Sequence, residues 1–297
     1  MRLQSSNALG HRPGLDMTVK LYQETAKLFY PLFTKSRSTN NSFDRISTAG
    51  TFQALSVVGE GTSFPDMDYR NPFVMDVTPL KYGGIFSVSS EAMETDKTGE
   101  IGRKTMKLLR AADKAIETLC ADIHNLATST SMTTPDGLAL ASASHLIDGA
   151  VASNIVTSSP ALSATALATA VQELMTQPDD SGDPMYFTGP YKLLVHPSNA
   201  DLAHRLVEAQ KYPTTNNNDP NWAGQMIDGV VVNPYFTNAN KWSLLSSGSD
   251  NPFVLLKRRG VRVSTDEDFR KDGMDTRVDV IFTRYPEDWR GFIFSDV

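Results

Sequence analysis

The 297-residue chain carries 28 Lys plus Arg against 34 Asp plus Glu, a formal net charge of -6, and 40% of its residues are hydrophobic. That is enough apolar material for a real core in about two domain-sized units. Ordinary charged and aromatic fractions exclude wholesale disorder, collagen-like repetition and a coiled-coil composition. One cysteine excludes a disulfide scaffold, and the absence of Cys-x-x-Cys or Cys/His spacing argues against a structural zinc.

The opening MRLQSSNALGHRPG lacks the continuous apolar core of a secretory signal, and the long uncharged run at 149–172 is studded with Ser, Thr, Asn and Pro160. Neither is expected to enter a bilayer. Residues 115–191 contain no Lys or Arg but do contain Glu117, Asp122, Asp136, Asp148, Glu173, Asp179, Asp180 and Asp183, so this stretch should repel nucleic acid. The last 47 residues hold equal numbers of basic and acidic side chains, a balance that fits solvation or protein contacts better than a DNA groove.

Residues 1–16 read as a loose arm. In 17–33, Val19, Tyr22, Ala26, Phe29 and Phe33 recur at helical spacing, which predicts an amphipathic helix strained or ended by Pro31. The polar run KSRSTNNS at 35–42 reads as a linker. From 43 to 96, short extended pieces split by Gly59, Gly61, Pro65, Pro72 and Pro79 predict a long hairpin or excursion loop with its tip near 61–69. It has too few consecutive core residues to bury both faces and should protrude or lie across another surface.

A long helix follows over 97–128, with caps expected at Asp96 or Thr98. Leu109, Ala112, Ile116, Leu119, Ile123 and Leu126 step by three and four and form one packed stripe, while Lys104, Lys107, Lys114, Glu100, Asp113 and Glu117 belong to the solvated side. A second helix is predicted over 162–175, then a turn at 178–182 and a buried strand at 191–195. Pro197 ends that strand, and Ser198 or Asn199 caps a helix to about Ala209 packed through Leu202 and Leu206. Strands at 229–232 and 242–245 complete a compact α/β module. The end is β-rich, with strands at 253–257, 261–264, 277–283 and 290–294, the last two half-buried by their alternation.

No Walker loop, nucleophile elbow, zinc helix or EF-hand loop occurs; Gly99 to Thr105 has the flavour of a phosphate loop with the wrong spacing and reads as a helix start. Cys120 and His124, four apart on the long helix, could place a thiol beside an imidazole, but core filling also explains the cysteine. His145 with Asp148, and His196 with His204, are pairs too common to weigh much. Asp179, Asp180 and Asp183 form an ordinary acidic turn around Gly182. No cofactor and no metal are expected.

The order of arm, extended excursion, long helix, α/β module and returning strands resembles the major capsid protein of tailed bacteriophages, the Hong Kong 97 type of fold, in particular its Mu-like head subunits. The resemblance is carried by KYGGIFSVSSEAMETD (81–96), by PYKLLVHPSNADLAHRL (190–206) coupled to GVVVNPYF (229–236), and by RRGVRVSTDEDFRKDGMDTRVDVIFTRYPEDWRGFIF (258–294). It implies an α+β chain divided into an N-terminal arm (1–42), an extended loop (43–90), a peripheral domain with a spine helix (91–157), an axial domain (158–250) and returning peripheral strands (251–297). It further implies a non-enzymatic shell protein that assembles with itself into hexamers and pentamers and encloses double-stranded DNA without sequence-specific binding.

On that reading Phe64, Met67, Tyr69 and Phe73 of the loop, and Tyr22 and Phe29 of the arm, contact neighbouring subunits, while Leu109, Ile116, Leu119 and Ile123 pack the spine helix. The location is the virion capsid, assembled in the host cytoplasm, with no membrane partner. A separate scaffolding protein is expected because the segment before Phe43 is short for an internal one; a portal and decoration proteins complete the partners. Since no lysine lies between Lys35 and Lys81, the lysine-mediated cross-link of some relatives is not expected. Two alternatives remain, an encapsulin-like nanocompartment shell and a cysteine-dependent enzyme using Cys120 and His124.

Overall fold

In the computed structural model, the described residues are 27–48, 55–67, 73–96, 99–147, 150–185, 187, 189–211, 220–268 and 272–296. In chain order the elements are α1 (Tyr30–Phe33), β1 (Lys35–Ser38), β2 (Asp44–Ser47), β3 (Val74–Val77), β4 (Leu80–Ser89), α2 (Ser90–Glu94), α3 (Glu100–Asn125), β5 (His145–Ile147) and β6 (Ala150–Ala152). The second half continues with α4 (Ala164–Met175), β7 (Tyr191–Val195), α5 (Ala200–Glu208), α6 (Trp222–Gln225), β8 (Ile227–Val232), β9 (Trp242–Ser246), β10 (Phe253–Asp268), β11 (Gly273–Pro286) and β12 (Phe292–Ser295).

The 26 residues of α3 span about 39 Å at 1.5 Å per residue. Gly99, at φ 68°, turns the chain into it in a left-handed conformation that costs glycine little, and the Asp96 carboxylate accepts the Ile101 N–H at 3.1 Å. The cap position is thus Gly99 rather than the expected Asp96, which reaches the first turn from three residues earlier, and Thr98, the other cap expected, lies outside the described residues. Leu109, Ile116 and Ile123 are buried along one stripe and Leu119 packs at its margin.

Two four-stranded sheets flank this helix. The first has the order β1-β10-β11-β4, with β11 antiparallel to both neighbours, and the second has the order β12-β9-β7-β8, with β7 and β8 parallel across a helical crossover. Val280, Phe282 and Leu255 of the first sheet, Leu194, Val231, Leu245, Phe292 and Phe294 of the second, and Ile116, Cys120 and Ile123 of α3 belong to one cluster of buried side chains. The other face of the second sheet is covered by α4 and α5 through Leu167, Val171, Leu174, Ala203 and Leu206, packed on Leu193, Trp242, Leu244 and Ile293. At about 1.5–3 kcal/mol for each large apolar side chain removed from water, these contacts dominate the energetics.

Several expectations are corrected. Residues 27–29 are not helical; helix begins only at Tyr30, with Pro31 in its first turn, where a missing N–H costs nothing. The linker at 35–42 is in part a strand, since β1 pairs in parallel with β10 from Lys35↔Val254 to Ser38↔Lys257, and an edge strand tolerates polar side chains. The strands expected at 253–257 and 261–264 are one strand, because β11 runs on unbroken while register shifts between Lys257 and Arg262 absorb Gly260. Leu202 is exposed on α5, whose buried residues are Ala203 and Leu206.

The closing strand, expected with the returning peripheral strands of 251–297, instead pairs with β9 from Phe292↔Leu245 to Ser295↔Trp242 and so belongs to the second sheet. All four of its residues are buried, not half-buried, because α4 covers one side and α3 the other.

Glu117 is the largest surprise on α3. Expected on the solvated side, its carboxylate is buried and accepts the backbone N–H of Phe29 at 2.6 Å and of Tyr30 at 3.1 Å, which caps α1 from another element. Burial raises its pKa above the usual carboxylate value, and the two N–H donors only partly oppose that rise. Such a group stabilises the fold fully below its unfolded pKa and loses that contribution as pH rises through the folded one. In denaturant titrations at pH 7, Glu117→Ala should cost about 1–3 kcal/mol by orphaning both donors, whereas Glu117→Gln, which keeps an acceptor, should cost less and flatten the pH dependence.

Candidate assembly interface

The excursion begins where β2 meets β3 in an antiparallel pair from Asp44↔Val77 to Ser47↔Val74. Its base is held in two ways. Ile46 and Val77 are buried against Val254, Leu256 and Tyr285 of the first sheet, and Arg45 grips Asp76 with two bonds of 2.8 and 2.9 Å. Thr48 and Phe73 close the last rung, the Thr48 N–H donating to the Phe73 carbonyl and the Phe73 N–H to the Thr48 hydroxyl.

Beyond that base, residues 55–67 form no strand and belong to none of the buried clusters. A turn at 59–62 is set by the Thr62 N–H and hydroxyl bonding the Gly59 carbonyl, with Gly61 at φ 80°. Leu55, Val57 and Phe64 are 88, 101 and 84% exposed, and the flanking Phe73 and Val74 are partly open as well. Scattered apolar residues on a surface are ordinary, but several on one projecting segment mark an interaction site. Met67 is half-buried, and Tyr69 lies outside the described residues.

The arm behaves differently from expectation. Tyr22 lies outside the described residues. Phe29 is half-buried with its N–H on Glu117, Leu28 packs against the shared core, and Tyr30 and Phe33 are buried within it. From residue 28 onward this segment lies against its own α3, which leaves the Phe29 ring half-buried. Lys192 reinforces the docking by donating to the Leu32 carbonyl at 2.5 Å.

Cys120 and His124 do not make a reactive pair. Both are buried, and the His124 ring lies stacked on Phe236, centroids 4.2 Å apart, and edge-on to Phe294. Burial, reinforced by Glu117, pushes the thiol up to about 12; burial, reinforced by Lys241, pushes the imidazole down to about 3. At neutral pH both stay uncharged, and the thiolate that nucleophilic chemistry needs does not form.

His145 lies on β5 rather than on a helix, and Asp148 is outside the described residues; its buried partner is Asp136, at 2.7 Å from Nδ1, with the Leu140 carbonyl at 3.2 Å from Nε2. The ring stacks on Trp289, over which Arg290 also sits. His196 bonds Ser198 in its own turn, and His204 pairs with Glu208 one helical turn away. The Asp179 carboxylate accepts the Ser181 and Asp183 N–H groups, and Asp180 pairs with Arg290. No group of three or more potential metal ligands occurs among the described residues. The site is thus a surface rather than a pocket.

The model of the phage capsid protein family matches residues 74–294, well over half of the chain. The chain belongs to the phage capsid protein family. Its fold is that of capsid subunits in solved shells. The capsid of the cyanophage P-SCSP1u is similar at TM-score 0.60 and 13% identity, covering 91% of this chain and 87% of that one. The capsid of bacteriophage JBD30 decorated with minor capsid protein trimers gives 0.57 and 14%, over 80% and 95%. The capsid of an empty GTA particle gives 0.55 and 12%, over 91% and 89%. No curated protein matches the chain. Family membership makes it a structural protein of the virion capsid, and no helix among the described residues is long and apolar enough to cross a membrane.

In this capsid protein the buried imidazole sets a pH limit. Because the folded pKa of His124 lies below its ordinary 6.5, its contribution is present above that value and is lost as pH falls toward about 3. Replacement by a ring that takes no proton, His124→Phe, should narrow the acid-unfolding window followed by circular dichroism. The gain over wild type at the acid end should be on the order of 4 kcal/mol.

Proposed function

We propose that this chain is the major head subunit of a tailed phage, assembling into hexamers and pentamers of an icosahedral shell that encloses double-stranded DNA. The observation that carries the reading is the apolar projection of residues 55–67 on a base fixed to the first sheet. A segment with that much uncovered apolar surface gains free energy when a neighbouring copy covers it, and a lattice of identical subunits supplies that neighbour at every position.

In this assignment the first sheet with α3 is the peripheral domain and the second sheet with α4 and α5 is the axial domain. β12 belongs to the latter. The role is architectural rather than enzymatic. Holding the shell together falls to non-covalent contacts, since no lysine lies between Lys35 and Lys81 for cross-linking. A separate scaffolding protein, a portal and decoration proteins are the partners, and assembly takes place in the host cytoplasm. The acidic, Lys- and Arg-free stretch at 115–191 suits a wall that must enclose DNA without clamping it.

Sedimentation and negative-stain microscopy of protein produced with its scaffold test this. Wild type should yield closed shells. Val57→Ser with Phe64→Ser should leave the unfolding free energy within about 0.5 kcal/mol of wild type, because neither side chain packs within its own subunit, yet should abolish shells. Normal assembly of that double variant refutes the reading. Shells filled with protein cargo instead of nuclease-protected DNA would indicate a nanocompartment.

A further inference from the structure

Between the hairpin of β5 and β6 and the C-terminal end of α4 the subunit leaves a cavity of about 510 Å³. That size lies within the ~300–1,000 Å³ usual for small-molecule sites. Ala143, Val151, Ala152 and Ile155 supply apolar walls, and Glu173, Thr157 and Thr176 supply polar ones. Two adjacent lining residues, Ser158 and Ser159, have φ of 67° and 40°, a left-handed backbone that L residues adopt only against a cost. Strain of this kind collects at functional sites, ligand clamps among them.

The glutamate and threonine side chains here have acceptors to offer and no donor to spare. The Thr157 N–H and hydroxyl both donate to Glu173 Oε1, and the Thr176 hydroxyl gives its hydrogen to the Gln172 carbonyl at 3.0 Å. Each hydroxyl oxygen keeps lone pairs once its hydrogen is committed. Gln177, also in the lining, spends its amide on the Phe292 carbonyl and the Gly291 N–H. Glu173 Oε2 is covered and accepts no hydrogen bond, and among the described residues no ion pair includes this carboxylate.

No local cation compensates it. Residues 115–191 contain no Lys or Arg, and Arg290, which donates to the Pro178 carbonyl, is committed to Asp180 and Asp288. A carboxylate oxygen closed to water without a donor costs free energy until one arrives. The last torsion of a glutamate side chain is soft, so the bare oxygen can turn toward a donor entering from the cavity.

We propose that this cavity binds a primary alkylammonium group, with its N–H donors on the Glu173 carboxylate and the Thr157 and Thr176 hydroxyl oxygens and its methylene chain along Val151, Ala152 and Ile155. An ammonium group has three donors and no acceptor, the complement of side chains that only accept. A divalent metal ion is poorly served, because it takes about six oxygen ligands and the described residues hold no group of three metal-ligating side chains. A free diamine and the end of a lysine side chain carry the same chemistry. The site is complete within one subunit and does not depend on the shell reading.

Isothermal titration of the full chain with 1,4-diaminobutane tests this, with 1,4-butanediol as its neutral counterpart and Nα-acetyl-lysine methylamide as the side-chain probe. The diamine should bind saturably at one per subunit and weaken with salt, and the diol should not bind. Glu173→Gln, which keeps an acceptor for Thr157, should weaken the diamine at least tenfold without shifting the melting temperature. Thr176→Val, at an exposed position, should weaken it several-fold with the carboxylate intact, and decides the matter if Glu173→Gln melts early. Failure of both amines to saturate, or binding that neither variant weakens, overturns the site. Equal binding of the diol overturns it as well, since charge would then play no part. Displacement of the diamine by magnesium chloride beyond that by sodium chloride of equal ionic strength overturns it in favour of an inorganic ion. Tighter binding of the diamine assigns the site to a free amine, and tighter binding of the lysine derivative assigns it to a partner's side chain; either result upholds the alkylammonium chemistry.

Discussion

Everything in this subunit depends on one shared apolar core, in which the C-terminal half of α3 is buried between two sheets. Ile116, Cys120 and Ile123 touch a cluster drawn from both, so neither sheet has an independent interior on this side. Protein interiors are close-packed, and a shift of one sheet relative to the other would open voids along the whole length of the contact. The helix therefore sets the angle between the two halves of the subunit.

The polar features inside this core serve the same end. Glu117 pins the entry of α1, Asn251 donates to the Phe33 carbonyl at its exit, and Asn125 on α3 bonds Tyr235 and Thr237 beyond β8. Each satisfies backbone groups that a helix end or loop would otherwise leave bare in a low-dielectric interior. The node of Asp136, His145, Trp289 and Arg290 does likewise for the long connection between α3 and α4. Asn154 adds to it by donating to the carbonyls of Leu140 and Trp289.

Against this closed interior the loop stands out as incomplete. Its base is anchored by both packing and an ion pair, but its described tip has only a local turn to hold it. A segment with few tertiary contacts has low local stability and is free to adopt the conformation a partner demands.

Residue periodicity alone was enough to read α3, α4, β7 and the buried stripe through Leu109, Ile116 and Ile123, because a 3.6- or 2-residue repeat is a local property of the chain. Gly and Pro spacing likewise pointed to the excursion, with its tip expected at 61–69 where the described turn is at 59–62, and the exposure of Phe64 followed from a segment too short of core residues to cover itself. Only the tertiary structure decided what distant partners do. A strand's sheet is set by which edge is open to it, so β12 went to the second sheet and the polar run at 35–38 became β1. Glu117 looks like any solvated acid until α1 is laid across it, and Asp279 reads as an outward residue until the bulged register of β10 brings arginines over it. Local periodicity carries no information about such pairings, because the energy that selects them comes from burial and charge shared between residues more than eighty positions apart in one case and on opposite strands in the other.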